Sequence, residues 1–166
     1  MTAKAGVTAA TRARTPTSPP ALPGGPFASS DAARRRMQSQ RRADTAPELA
    51  LRRAAHRLGL RYFVHRRPLP ALRRSADLVF PTARVAVFVD GCFWHGCDDH
   101  GRRTIRENTW YWPEKIASNR RRDDDTDARL RDAGWMPVRV WEHEEPAVAA
   151  ARLARIVEER RALARG

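Results

Sequence analysis

"ADLVFPTARVAVFVDGCFWHGCDDH", Ala76 to His100, packs two apolar runs, a turn and a cluster of reactive side chains into one short stretch. Ala76–Phe80 and Arg84–Asp90 have the length and β-branched content of strands, and the second is apolar enough for burial on both faces. Pro81 and Thr82 mark a tight connection between them, so the two should pair as a hairpin. Asp77 and Asp90 then lie on neighbouring strands. From Phe88 to Gly101 ("FVDGCFWHGCDDHG") the chain supplies cysteines, histidines, acids and a Phe-Trp pair directly after the apolar run.

Upstream, Arg61–His65 ("RYFVH") reads as another strand. The segment before it has the marks of a helix: Thr45 followed by Glu48 matches a capping box, Pro47 sits in the first turn and Gly59 closes the element. Leu51, Ala54, Ala55 and Leu58 follow helical spacing and give it one apolar face. "DAARRRMQSQRRADT", residues 31–45, suggests a short basic helix running into a turn. Residues 1–30, rich in Thr, Pro, Ala and Gly, have almost nothing to bury and read as a disordered, weakly basic tail.

Downstream, residues 111–133 are mostly polar and charged, with Ile116 and Leu130 as anchors and Gly134 placed as a helix C-cap. "WMPVRVWEH" reads as a fourth strand, and residues 146–164 as a C-terminal helix with a stripe of Ala, Leu, Ile and Val. The order helix, three strands, helix, strand, helix belongs to an α/β fold. A chain of 166 residues provides for one domain, here residues 31–166 with the C-terminal helix included.

Against 19 Asp and Glu the chain carries 32 Lys and Arg, a net charge of +13. An Arg-for-Lys bias explains the choice of cation but not the excess, which points to a polyanionic partner. Nucleic acid comes before a membrane surface, because no basic amphipathic helix with an aromatic face stands out. No run approaches a spanning helix and the first residues lack the apolar centre of a secretory signal, so an intracellular protein is expected. In a reducing compartment Cys92 and Cys97 are metal ligands or simple thiols rather than a disulfide.

The spacing of Cys92, Cys97 and His100 allows one loop to wrap a tetrahedral Zn²⁺, with His143, just past the fourth strand, as the fourth ligand. Without a metal the same residues are two buried thiols and two surface histidines. Asp77 begins one strand and Asp90 ends its neighbour, so the carboxylates could converge at one end of the hairpin, with Glu48 joining from the helix. Oxygen ligands grouped this way suit Mg²⁺ and phosphodiester hydrolysis; as single residues they are ordinary solvated turn acids. His95 could take a proton from attacking water, or be one more histidine of the loop. Phe93, Trp94, Trp110, Tyr111 and Trp112 stand in polar surroundings, where aromatic rings either stack on and wedge between bases or form a small satellite core.

Taken together, "DTAPE", "ADLVFP", "VAVFVDGCFWHGC", "NTWYWPEKIASN" and "GWMPVRVWEHE" resemble the very short patch repair (Vsr) DNA mismatch endonucleases, over about residues 30–143. The resemblance implies a restriction-endonuclease-like fold, a mixed central sheet flanked by helices, with a structural zinc site. It makes Asp77 the essential metal-binding carboxylate and the Val89 carbonyl a further Mg²⁺ ligand. Glu48 would act through water on the metal, and His95 would assist the attacking water. Cys92, Cys97, His100 and His143 would hold the zinc, and Phe93, Trp94 and Trp112 would wedge into duplex DNA. The implied reaction is a nick 5′ of the thymine in a T·G mismatch, the lesion left by deaminated 5-methylcytosine, made by a monomer in the bacterial cytoplasm at the nucleoid. The best-known members have a Thr-His pair where this chain has Val89 and Asp90, so Asp90 would supply a ligand or orient water. They also carry a histidine before the second cysteine and a cysteine at the position of His143. Two other readings carry the same residues: a restriction-like endonuclease that cuts unmodified duplexes by sequence, and a zinc-stabilised DNA-binding protein without catalysis.

Overall fold

The structure, a computed structural model, describes residues 43–100 and 111–165. The tail at 1–30, residues 31–42 of the basic segment and Trp110 lie outside the described residues. Helix α1 (Ala46–Arg57) starts at Thr45 and is followed by Gly59 at φ 76°, a left-handed conformation that costs glycine nothing. Leu51, Ala54 and Ala55 are buried as their spacing implies, whereas Leu58 is the C-cap residue and half exposed.

Strand β1 (Phe63–Arg66) begins two residues later than the sequence suggests. β2 (Ala76–Phe80) and β3 (Val85–Asp90) form the expected antiparallel hairpin, closed by a turn in which the Arg84 N–H donates to the Pro81 carbonyl at 3.1 Å. A four-residue helix, α2 (Cys92–His95), follows where a loop was expected. Then come α3 (Trp112–Asp132), β4 (Met136–Trp141) and α4 (Pro146–Leu163).

The strands form one mixed sheet in the order β1-β2-β3-β4, with β4 parallel to β3. A parallel pair needs a crossover between its strands, and α2 with α3 supplies it. Side-chain alternation on β2 and β3 builds two cores. Leu78, Phe80, Val85 and Val87 pack with Leu51 of α1 and Leu153 and Val157 of α4, while Val79, Ala86 and Phe88 pack on the other side with Leu130 of α3. Each such side chain contributes about 1.5–3 kcal/mol when fully buried. The sheet is thus sandwiched, and the sparse apolar content of α3 reflects its reliance on Leu130. Among the described residues no helix is long and apolar enough to cross a membrane.

Candidate active site and metal centre

The parallel register aligns Asp90 with Trp141 at the matched ends of β3 and β4. Cys92 and His143 each follow their strand end by two residues, and this is what brings them together from distant parts of the chain. The Cys92 Sγ lies 3.0 Å from His143 Nδ1 and 4.0 Å from His100 Nδ1; the Cys97 Sγ lies 3.7 Å and 3.8 Å from the same atoms. A tetrahedron with Zn–N and Zn–S bonds of about 2.0–2.3 Å has edges of about 3.3–3.8 Å, so the four donors fit around one ion. Both cysteines are buried and both histidines exposed. Burial and the neighbouring Cys97 thiol push the Cys92 thiol up to about 12 in the metal-free chain, and a bound cation reverses that by stabilising the thiolate. Glu142 completes the surroundings by accepting the Cys92 N–H at 2.6 Å.

Asp77 and Glu48 share a neighbour, His65, whose Nδ1 lies 4.0 Å from Asp77 Oδ1 and whose Nε2 lies 3.9 Å from Glu48 Oε2. The Asp77 carboxylate accepts the Val89 N–H through Oδ2 at 2.7 Å. Burial, opposed by that hydrogen bond and reinforced by the Glu48 charge, raises its pKa to about 6. Glu48, nearly fully buried, is saturated within its own helix start: Oε1 accepts the Thr45 hydroxyl at 2.9 Å, and Oε2 accepts the Asp44 N–H at 2.9 Å and Arg52 at 3.1 Å. A carboxylate so occupied is suited to act on a cation through water. Asp77, with Oδ1 free of any such bond, is suited to direct ligation.

Asp90 does not join them. Its carboxylate is turned to the α3 side, where Arg139 Nη1 reaches both of its oxygens at 3.0 Å. The same guanidinium donates to Asp127 at 3.0 Å and sits 5.0 Å over the Phe88 ring. Of the expected convergence of Asp77, Asp90 and Glu48, the structure places Asp77 and Glu48 on either side of His65 and leaves Asp90 apart. Asp90 instead lies 3.7 Å from His95 Nδ1, which is bonded to Asp123 at 2.5 Å. Despite its burial, the His95 hydrogen bond and the Arg139 charge hold the Asp123 carboxyl below the usual range. Asp123 and Arg139 were missed in sequence, since one acid in "RRDDDTD" and one arginine in a strand look like solvated surface.

A cleft of about 450 Å³ joins the two sides, lined among others by Glu48, Val89, Trp94 and His95. At its rim Phe93, Trp94 and Trp112, all half-buried, pack edge to face with ring centroids 4.8–5.6 Å apart. Tyr111 packs on Trp112 in turn. Among the described residues, Phe93, Trp94, Tyr111 and Trp112 thus form the small satellite core. Asn119, itself buried, donates to the Trp94 carbonyl at 2.7 Å, and Arg120 to the carbonyls of His95 and Gly96, so α3 fixes the end of α2.

A carboxylate centre on one side of a cleft and a carboxylate-held histidine on the other, on a chain this basic, are the build of a hydrolase acting on a polyanionic backbone. The family model described as DNA mismatch endonuclease Vsr matches residues 29–100. The chain is 49% identical over 121 residues to the Type II nicking enzyme V.NaeI of Lentzea aerocolonigenes, covering 70% of this chain and 72% of that one. Identity to the Type II nicking enzyme V.XorIIP of Xanthomonas oryzae pv. oryzae is 40% over 127 residues, with 74% and 89% covered. To the DNA mismatch endonuclease Vsr of Escherichia coli it is 34% over 99 residues, with 60% and 62% covered. The chain belongs to the Vsr family and is a DNA endonuclease.

Proposed function

We propose that this endonuclease, in a restriction-endonuclease-like fold, nicks one strand of duplex DNA 5′ of the thymine in a T·G mismatch. The observation that carries the reading is one cleft lined by Glu48, by Val89, whose N–H is bonded to Asp77, and by an Asp123-held His95. Asp77 through Oδ1 and Val89 through its carbonyl would hold Mg²⁺, which when bound polarises the scissile phosphate and stabilises the leaving oxygen. Glu48 positions water at the centre from its saturated, rigid site. His95, with Nδ1 committed to Asp123, keeps Nε2 as the acceptor for the proton of attacking water. Arg139 and Asp90 hold that pair in place from behind.

Cys92, Cys97, His100 and His143 would hold a structural Zn²⁺ that orders the α2 loop and so sets Phe93 and Trp94 beside Trp112. Rings that pack on each other in the free chain have only to part by a base step to enter a duplex, which costs the DNA a few kcal/mol least resisted at a mismatch. That supplies a reason for preferring T·G over a stacked pair. The bacterial cytoplasm and nucleoid follow from such a substrate, and a monomer with one centre cuts one strand.

The relatives named Type II nicking enzymes support the cutting of one strand. The test is strand cleavage of matched T·G and T·A duplexes carrying a randomised flank, in Mg²⁺ and with chelator. A metal-dependent nick confined to T·G is expected. Equal cleavage of both would establish a sequence-directed endonuclease instead, and binding without any nick a non-catalytic one.

A further inference from the structure

His65 stands at the active end with no part in the reaction outlined above. The pairs Val64↔Leu78 and Arg66↔Ala76 bracket it and set it opposite Asp77. Its backbone lies at φ 48°, a left-handed conformation that costs a residue with a Cβ about 1–2 kcal/mol. Such strain persists where the surroundings over-determine it, commonly at functional sites.

The ring explains the strain. His65 Nδ1 is 4.0 Å from Asp77 Oδ1, while Nε2 is 2.8 Å from Arg52 Nη2, 3.2 Å from Asp44 Oδ1 and 3.9 Å from Glu48 Oε2. A guanidinium only donates, so in the neutral ring the closer contact makes Nε2 the acceptor from Arg52 and puts the ring proton on Nδ1, facing Asp77, and the 3.2 Å approach of Nε2 to Asp44 is then no hydrogen bond. Arg52 is thereby held on the far side of the ring, its fork spent on Asp44 at 2.5 Å, Glu48 at 3.1 Å and His65. It is near enough for its charge to act on Asp77, yet it makes no ion pair with it.

We propose that His65 is a positioning residue that keeps the resident cation Arg52 off the Asp77 carboxylate, so that a divalent cation can take the free oxygen. The inference rests on Asp77 being the metal-binding carboxylate. Remove the ring, and a long flexible guanidinium can reach Asp77 and compete with the metal. At 4.0 Å the imidazole itself leaves Oδ1 available.

The experiment is Mn²⁺ titration of the zinc-loaded full chain without DNA, read by electron paramagnetic resonance, on wild type, His65→Gly, His65→Asn and Asp77→Asn. Glycine keeps the backbone conformation and removes only the ring; asparagine tolerates that backbone and restores an acceptor for Arg52. His65→Gly should weaken Mn²⁺ binding by about tenfold or more, the scale of lost outer-shell support at metal sites, with an unchanged or raised melting temperature. His65→Asn should recover part of the loss. Wild-type affinity in His65→Gly alongside loss in Asp77→Asn would overturn the role of His65 and leave the metal centre standing. Binding that no variant changes would overturn both. Should His65→Gly fail to fold, His65→Asn stands in for it: affinity between that of wild type and that of Asp77→Asn is expected, and full wild-type affinity in His65→Asn would overturn the role of His65.

Discussion

Asp77 faces two opposing demands, because burial and the nearby Glu48 charge resist its ionisation, yet the cation ligation proposed for it requires it. With its pKa raised to about 6 from 3.8, the folded metal-free chain binds more protons than the unfolded one between those values. Stability therefore falls as pH rises through that window, the reverse of a salt-bridged aspartate. Asp77→Asn should stabilise the metal-free chain at pH 8 by about 1–3 kcal/mol, with no gain below about pH 4, measured by denaturant unfolding with chelator present. A variant equally or less stable at pH 8 would show that the carboxylate is not strained. Single residues were unequally legible in the sequence. Thr45 and Glu48 marked the start of α1 correctly, but for a different physical reason: the Thr45 side chain caps no backbone N–H and donates to Glu48 instead. The acid that looked like a capping partner is the site's most tightly held carboxylate. His65 gave no signal, since a histidine at a strand end is ordinary until its φ is known.

At the level of elements, periodicity located every strand and long helix among the described residues, because apolar alternation and Gly punctuation are local. Pairing was legible only where a short turn forced it, at β2 and β3. That Asp77 and Asp90 serve opposite sides of the sheet was not legible, since it depends on which helix covers each face. The Cys/His quartet was, because ligand spacing and strand ends sufficed. Neither apolar core contains a cysteine, so the quartet orders α2 rather than the sandwich. Zinc removal, or Cys97→Ser, should accordingly abolish the one tightly held zinc by elemental analysis and change Trp fluorescence through Trp94 and Trp112. Far-ultraviolet circular dichroism should keep most of its helix signal, from α1, α3 and α4. Complete loss of helix on chelation would mean instead that metal binding and global folding are one transition.

For the whole molecule, charge and shape separate affinity from discrimination. A net charge of +13 draws any duplex to the protein through counterion release, a contribution blind to base sequence that changes log K by about −0.9 per phosphate contact for each tenfold rise in salt. A slope of about −5 or steeper is expected for a site spanning several phosphates. Phe93, Trp94 and Trp112 carry no charge, so the preference proposed for them would add to this contribution without sharing its salt dependence. Affinities for T·G and T·A duplexes, measured on the zinc-loaded chain without Mg²⁺ across about 50 to 200 mM salt, should therefore fall together by orders of magnitude while their ratio stays level. A ratio that collapses with rising salt would place discrimination in the arginines rather than in the aromatic wedge. Replacing Trp112 by alanine separates the two further: the ratio should drop toward unity while the slope stays put, because a ring has been lost and no phosphate contact with it.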